Sequence, residues 1–214
     1  MKPAVVVLCG SFNPPTLLHF EIIRSSCEIL RSHDYFCTHA VISPVSNLYA
    51  KPGLLPFNHR VEMLKLGLHD LNLSDFISID TWEGTQTTYT RSVFVLNHIA
   101  EQFPDNQIIL ICGADLVEQM GTSWPWDTLE PLLAKYKVLV FNRSDYNFEN
   151  VLKDPKVSKL LEFKSSFIPG PLVESFPVSS TIVRSLVKSL DFSELRKFLT
   201  PSVVDYIQSN GLYS

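Results

Sequence analysis

Apolar runs of about four to eight residues alternate along the chain with segments whose apolar residues recur at helical spacing. The runs are continuous and rich in β-branched side chains, which is typical of strands buried on both faces of a sheet. They predict strands at 4–9, 36–43, 76–80, 107–112 and 137–141, with a last short strand near 167–168. Helical spacing predicts helices from Thr16, from Pro56, near 93–103, through 129–133 and over the more polar segment 148–163.

This alternation predicts the α/β class, as a doubly wound, Rossmann-like open parallel sheet with helices on both faces. The chain then continues with helical patterns at 179–187, 192–199 and 201–208. No linker composition or internal repeat separates them from the sheet. We therefore expect a single domain over residues 1–214, with a helical C-terminal portion from about residue 179.

Two glycine turns follow strands that should lie side by side. The first is in the stretch 10–19, Gly-Ser-Phe-Asn-Pro-Pro-Thr-Leu-Leu-His, and the second is Gly113-Ala114-Asp115 after the fourth strand. In a doubly wound sheet the strand order reverses between the first and fourth strands, and ligands bind at the carboxyl ends there. A helix start offers free N–H groups to an anion, so the two turns predict a nucleotide crevice. A purely structural turn is the alternative.

Composition narrows the classes of protein. The 214 residues are 45% hydrophobic and 19% charged, with a net charge of −4, which argues against a nucleic-acid surface. No apolar run approaches the ~20 residues of a membrane span. We expect an intracellular protein, cytoplasmic or nuclear, without a secretory signal. The spacing of Cys9, Cys27, Cys37 and Cys112 matches no metal motif, so these residues are predicted to be buried free thiols.

The common catalytic motifs are missing from the sequence. It has no G-x-G-x-x-G, no G-x-x-x-x-G-K-[ST], no H-E-x-x-H, no G-x-S-x-G and no carboxylate cluster for a metal. What remains is His19 at the start of the first helix and a second helix start at 179–181, Ser-Ser-Thr. Arg184 lies one turn later, where a guanidinium can bind phosphate.

These two segments carry a resemblance. The stretch 10–19 is similar to the signature of the nucleotidyltransferase superfamily that contains HxGH enzymes, and Ser-Ser-Thr-Ile-Val-Arg at 179–184 resembles its second signature. Thr16 replaces the first histidine, as in the eukaryotic branch. Segments 43–45, 53–56, 59–61, 80–83, 112–116 and 210–214 are similar to eukaryotic nicotinamide/nicotinic acid mononucleotide adenylyltransferases. The resemblance covers essentially the whole chain, although Pro52 stands where relatives often have a basic residue.

The resemblance implies adenylyl transfer from ATP to nicotinamide mononucleotide, nicotinic acid mononucleotide, or both, in NAD biosynthesis. ATP and the mononucleotide would be the partners, with no nucleic acid or membrane, and a homo-oligomer is left open. Magnesium would be held mainly by phosphates, with no metal-ligating residue. Two alternatives stay open: another adenylyl or cytidylyl transfer in the superfamily, or a non-catalytic nucleotide-binding, chaperone-like protein.

The resemblance also implies roles for individual residues. His19 and Arg184 would be catalytic. The predicted ATP-binding residues are Gly10, Ser11, Phe12, His19, Gly113, Asp115, Ser179, Ser180, Thr181 and Arg184. The predicted mononucleotide-binding residues are Ser11, Asn13, Lys51, Trp82, Thr85, Trp124, Trp126 and Arg143.

Several of these assignments have plainer alternatives. Asp115 could cap a helix, Trp82 could pack in the core, and Arg143 could pair with a surface carboxylate. Counting residues forward from Gly113 favours Trp126 as the ring contact, whereas counting back from Asn142 favours Trp124. His59, His69 and His98 lie in helical patterns and are predicted to be structural.

Overall fold

A computed structural model describes residues 1–142, 146–172 and 179–213. Its helices and strands alternate through most of the chain. In order they are β1 (Lys2–Gly10), α1 (Leu17–Ser32), β2 (Tyr35–Pro44), α2 (Phe57–Asp70), β3 (Ile77–Ile79), a 3₁₀ turn (Trp82–Thr85), α3 (Ser92–Gln102), β4 (Gln107–Gly113), α4 (Ala114–Thr122), α5 (Trp126–Lys135), β5 (Lys137–Asn142), α6 (Phe148–Val151), a 3₁₀ segment (Pro155–Ser166), β6 (Phe167–Leu172), α7 (Ser180–Lys188), α8 (Phe192–Leu195) and α9 (Pro201–Ser209).

The six strands form one parallel sheet in the order β3-β2-β1-β4-β5-β6. Leu8 near the end of β1 pairs with Ile42 of β2 on one side and Ile111 of β4 on the other. The order therefore reverses between β1 and β4, which confirms the predicted doubly wound sheet. This reversal places Gly10 and Gly113 at the same edge.

Both faces of the sheet are buried. Val5 and Val7 of β1 belong to a core shared with α3, α4 and α5, whereas the alternate residues Val6 and Leu8 belong to a core shared with α1 and α2. Successive side chains of a strand point to opposite faces, so a strand covered on both sides must be apolar throughout. This is why β1 reads as a continuous apolar run.

A third apolar cluster joins the C-terminal helices to α2. Met63 of α2 is buried against Val183 of α7 and Val204 of α9. The peptide N–H of Leu17, at the start of α1, donates to the carbonyl of Phe198 at 2.8 Å. The helical C-terminal portion is thus packed beside the end of β1.

The structure departs from the predicted elements at α4, over 148–163, and over 192–199, where α8 ends at Leu195. Helix α4 was not predicted, because the predicted turn at Gly113-Ala114-Asp115 is the end of β4 followed directly by the start of α4. The predicted helix over 148–163 is wrong: α6 ends at Val151 and a 3₁₀ segment follows from Pro155. Proline favours a helix start, and the Asp154 side chain accepts from the N–H of Lys156 at 2.9 Å, so a new segment begins there.

All four cysteines are free; Cys112 is buried and the other three are half-buried. In the described ranges, no helix has both the length and the apolar character needed to cross a membrane.

Candidate active site

A cavity of about 380 Å³ lies at the carboxyl ends of β1 and β4. All the predicted ATP-binding residues except Phe12 and Arg184 line it, and so does Lys51. The second helix start, at Ser179, faces the two strand ends across this cavity. Segments that are far apart in the chain, but similar to the two signatures, therefore share one crevice.

His19 has a defined protonation state in this cavity. It is the third residue of α1, and its Nδ1 accepts from the peptide N–H of Thr16 at 2.9 Å. A peptide N–H can only donate, so Nδ1 carries no proton and the neutral ring presents Nε2–H. Burial lowers the pKa of His19 to about 4, and the positive charge of Lys51 acts in the same direction. Near neutral pH, His19 is an uncharged hydrogen-bond donor.

Phe12 packs against residues that line the cavity. Its ring is buried, lies edge-on to the His19 ring at 5.1 Å between centroids, and packs under Gly10. A Cβ at Gly10 would lie 3.2 Å from the Phe12 ring, so glycine allows this close approach. The Phe12 backbone has φ = 45°, in the left-handed region that few non-glycine residues adopt. Its side chain is thus part of the core and does not line the cavity.

Asn13 is completely buried, and protein groups surround its amide. Nδ2 donates to the carbonyl of Gly53 at 2.8 Å, while Oδ1 accepts from the N–H of Leu55 at 3.2 Å and the hydroxyl of Tyr213 at 2.9 Å. The predicted direct contact between Asn13 and the mononucleotide draws no support from this arrangement. The side chain instead holds the 51–55 loop.

Arg184 lies on α7, one turn after the three residues at the helix start that line the cavity. Its guanidinium donates to the main-chain carbonyl of Asn13 at 2.8 Å and to the hydroxyl of Thr181 at 3.0 Å. Ser179 caps α7 by accepting from the N–H of Ile182 at 3.3 Å, and the Ser180 hydroxyl donates to the carbonyl of Pro14 at 2.9 Å. These bonds attach the second signature directly to the first.

Asp115 lies in the first turn of α4 and lines the cavity. The N-cap of α4 is Gly113, so Asp115 is not the helix cap that was the plainer alternative. Of the described residues that line the cavity, only Asp115 carries a carboxylate. No group of three His, Cys, Asp or Glu side chains in the described part of the chain could hold a metal ion.

Positive charge converges beside the cavity. The Lys51 ammonium donates to the Ser11 hydroxyl at 2.9 Å, and its pKa is lowered by burial and by the charges of Arg184 and Arg60. Arg60 is completely buried and donates to the carbonyls of Leu55, Ser11 and Val45 at 2.9, 3.0 and 2.7 Å. Sequence reasoning did not single out Arg60 as functional. The sequence does carry a signal for it, because Arg60 is a charged residue on the same side of a predicted helix as the apolar residues Val61 and Leu64.

Trp82 begins the 3₁₀ turn after β3 and is stacked on a histidine. Its peptide N–H donates to the Asp80 carboxylate at 2.8 Å, and its indole lies nearly parallel to the His98 ring at 4.6 Å between centroids. The Thr85 hydroxyl donates to the Trp82 carbonyl at 2.8 Å and closes the turn. One face of Trp82 is therefore covered by His98, which was predicted to be structural.

Glu83, in the same turn, is a buried carboxylate. Its Oε1 accepts from the N–H of Ser46 at 3.2 Å. Burial raises the pKa of Glu83 to about 7, although the Ser46 N–H and the charge of Arg60 act against that rise. The turn is packed so closely that a Cβ at Gly84 would collide with the Phe57 ring.

The two candidate tryptophans have different surroundings. Trp124 lines a smaller cavity of about 140 Å³ with Tyr89 and Arg91. Trp126 packs edge-on against Phe163 at 6.0 Å, with the Lys159 ammonium 5.3 Å from its ring centroid. Trp124 thus borders open space, and Trp126 is engaged by neighbouring side chains. Arg143 lies outside the described residues.

A doubly wound sheet with a cavity at the carboxyl ends of its strands is typical of nucleotide-binding proteins, and the similarity of this chain to known proteins agrees with that class. The family model for cytidylyltransferase-like proteins matches residues 7–186, so the chain belongs to that family. Within it, the chain is similar to proteins named nicotinamide/nicotinic acid mononucleotide adenylyltransferase. The Arabidopsis thaliana protein is 28% identical over 98% of this chain and 90% of its own length. A Caenorhabditis elegans protein of the same name, numbered 2, is 28% identical over 100% of this chain and 99% of its own.

Among solved structures, the chain is similar to Plasmodium falciparum nicotinic acid mononucleotide adenylyltransferase complexed with NaAD. The TM-score is 0.76 and the identity 19%, over 100% of this chain and 98% of that one. At this identity the likeness concerns the fold. The α/β architecture inferred from the strand order agrees with it.

Proposed function

We propose that this chain transfers the adenylyl group of ATP to nicotinamide mononucleotide, nicotinic acid mononucleotide, or both, with release of pyrophosphate. The names of its relatives support this reaction. The observation that carries the proposal is the neutral His19, whose Nε2–H belongs to a cavity lined by the starts of α1, α4 and α7. Helix starts bind phosphate through their free N–H groups, and a fixed donor stabilises charge that develops on phosphate oxygens.

The reaction needs no covalent intermediate. A 5′-phosphate oxygen of the mononucleotide attacks the α-phosphorus of ATP, and the bond from that phosphorus to the bridging oxygen breaks to release pyrophosphate. Positioning and charge stabilisation supply most of the catalysis in such transfers. His19 donates to the phosphates through Nε2, and Arg184 holds the departing pyrophosphate.

Magnesium fits the donor set of this cavity as an ion held mainly by substrate. Mg²⁺ keeps several waters and binds through one or two carboxylates together with substrate phosphates. Asp115 is the one carboxylate that the described cavity residues offer. When bound to ATP, the ion neutralises charge on the phosphates.

The mononucleotide lies next to the ATP site in this proposal. Lys51 and Ser11, joined by a hydrogen bond of 2.9 Å, bind its phosphate. Trp82, backed by His98, offers a flat face to the pyridine ring, and Thr85 adds a polar contact in the same turn. We prefer Trp124 to Trp126 as the second aromatic contact because Trp124 borders a cavity.

The test is product formation by the purified protein with ATP and magnesium. Separate reactions contain nicotinamide mononucleotide, nicotinic acid mononucleotide, or phosphocholine as a control acceptor, and the products are identified by mass spectrometry. We expect NAD or deamido-NAD in a one-to-one ratio with pyrophosphate. Product from phosphocholine alone supports transfer to another acceptor. Binding of ATP without product from any acceptor supports a non-catalytic protein.

The remaining expectations stay predictions. They are a single domain over residues 1–214, a cytoplasmic or nuclear location, no nucleic-acid or membrane partner, and a homo-oligomeric state left open.

A further inference from the structure

We propose that Tyr213 is a positioning residue for the phosphate-binding side chains, and that it acts through the buried amide of Asn13. The inference deepens the proposed function and rests on it. Tyr213 lies beyond α9 and 200 residues from Asn13 in the chain, yet its hydroxyl donates to Asn13 Oδ1 at 2.9 Å.

Asn13 connects the parts of the site. The bonds of its side chain to Gly53 and Leu55 hold both sides of the loop that follows Lys51. Its main-chain carbonyl accepts from Arg184 at 2.8 Å. One completely buried residue therefore fixes the loop that carries Lys51 and one end of the Arg184 guanidinium.

The hydroxyl of Tyr213 completes this arrangement. An amide oxygen accepts two hydrogen bonds, and Oδ1 of Asn13 receives one from Leu55 and one from Tyr213. Without the hydroxyl, a buried acceptor loses half of its partners, and buried polar groups are costly to leave unpaired. Burial raises the pKa of Tyr213, so the phenol keeps its proton and remains a donor at neutral pH.

The Tyr213 backbone also adopts a demanding conformation. Its φ is 67°, in the left-handed region that is unfavourable for a non-glycine residue. The surrounding structure holds it there, with Leu212 buried against the cluster formed by α2, α7 and α9. This backbone turn accompanies the placement of the phenol on Asn13.

The matched pair of variants is Tyr213→Phe and Tyr206→Phe. Each removes one hydrogen-bonded hydroxyl, but the Tyr206 hydroxyl contacts His59 at 2.9 Å and does not reach Asn13. Measurements are kcat and KM for each substrate, the Kd for ATP, and the hydrogen-exchange rate of the Leu55 amide. For Tyr213→Phe we expect a loss of about three- to tenfold in kcat/KM and a similar acceleration of Leu55 exchange. For Tyr206→Phe we expect neither change.

A double-mutant cycle tests whether Tyr213 acts through Asn13. In an Asn13→Ala background, Tyr213→Phe should cause no further loss of kcat/KM. Additive losses would overturn the proposed route. If Asn13→Ala does not fold, the comparison of Tyr213→Phe with Tyr206→Phe decides alone.

The inference is wrong if Tyr213→Phe leaves both kcat/KM and Leu55 exchange unchanged in an active protein. It is also wrong if the variant only lowers Tm while each folded molecule keeps the original kcat/KM. If the unaltered protein forms no dinucleotide, the proposed function fails by itself. In that case, weaker ATP binding and faster Leu55 exchange in Tyr213→Phe would still support a positioning role for Tyr213, and no change in either would overturn it.

Discussion

Two replacements of His19 together separate the roles proposed for its two ring nitrogens. Nδ1 caps α1 by accepting from Thr16, and in the proposed reaction Nε2–H donates to the phosphates. His19→Ala removes both. Loss of a fixed donor to developing charge lowers kcat by about 10²–10³, or roughly 2.7–4 kcal/mol in the barrier. Loss of the cap costs about 1 kcal/mol of stability, equivalent to about 2–4 °C in Tm for a chain of this size.

His19→Gln distinguishes the two roles. Glutamine is the usual third residue of a capping box, so its amide oxygen can accept from the Thr16 N–H. We expect this variant to recover most of the Tm lost in His19→Ala and to remain at least about tenfold slower than the unaltered protein. His69→Ala, a change at an exposed histidine, is the control and should alter neither quantity.

The assay is kcat/KM for adenylyl transfer between pH 6 and 8, with Tm from thermal unfolding. The free-enzyme pKa of His19, about 4, keeps the ring neutral throughout this range. The ratio of kcat/KM for the unaltered protein to that for His19→Gln should therefore stay constant, since the substrates titrate alike in both reactions. A ratio that falls about tenfold per pH unit above 6.5 would show that His19 acts as a cation, and the reasoning would be refuted.

Three further predictions concern the turn after β3. Trp82→Ala should raise KM for the mononucleotide far more than KM for ATP, whereas Trp126→Ala should not; equal effects of Trp82→Ala on both substrates would contradict the stacking role. The pKa of Glu83 is 4.5 in the unfolded chain and about 7 in the folded protein, so its contribution to stability is lost as pH rises through that range. The free energy of unfolding of Glu83→Gln minus that of the unaltered protein, measured with denaturant, should therefore rise by on the order of 2 kcal/mol between pH 5 and pH 8. A difference that stays constant over this range would contradict the raised pKa. Gly84→Ala should lower the free energy of unfolding by about 1–3 kcal/mol, because its Cβ would collide with the Phe57 ring, and unchanged stability would show that the ring can move aside.

Local patterns were sufficient to predict the sheet. The run from Ala4 to Cys9 must be apolar at every position because both faces of β1 are covered, and this requirement is visible in the sequence itself. The turn after Gly10 and the strand order then placed the crevice between β1 and β4. By contrast, helix α4 was missed, because Gly113 resembled a turn and no loop separates β4 from α4.

The sequence by itself determined the α/β sheet and the two glycine turns that follow its first and fourth strands, since apolar runs and turn residues depend on neighbours along the chain. Only the tertiary structure decided that Phe12 and Asn13 are buried, that Trp124 borders a cavity and that Trp126 packs against Phe163. The same holds for the contact between Asn13 and Tyr213. Such contacts are set by how helices pack across the sheet, and the spacing of residues in one segment carries no information about that packing.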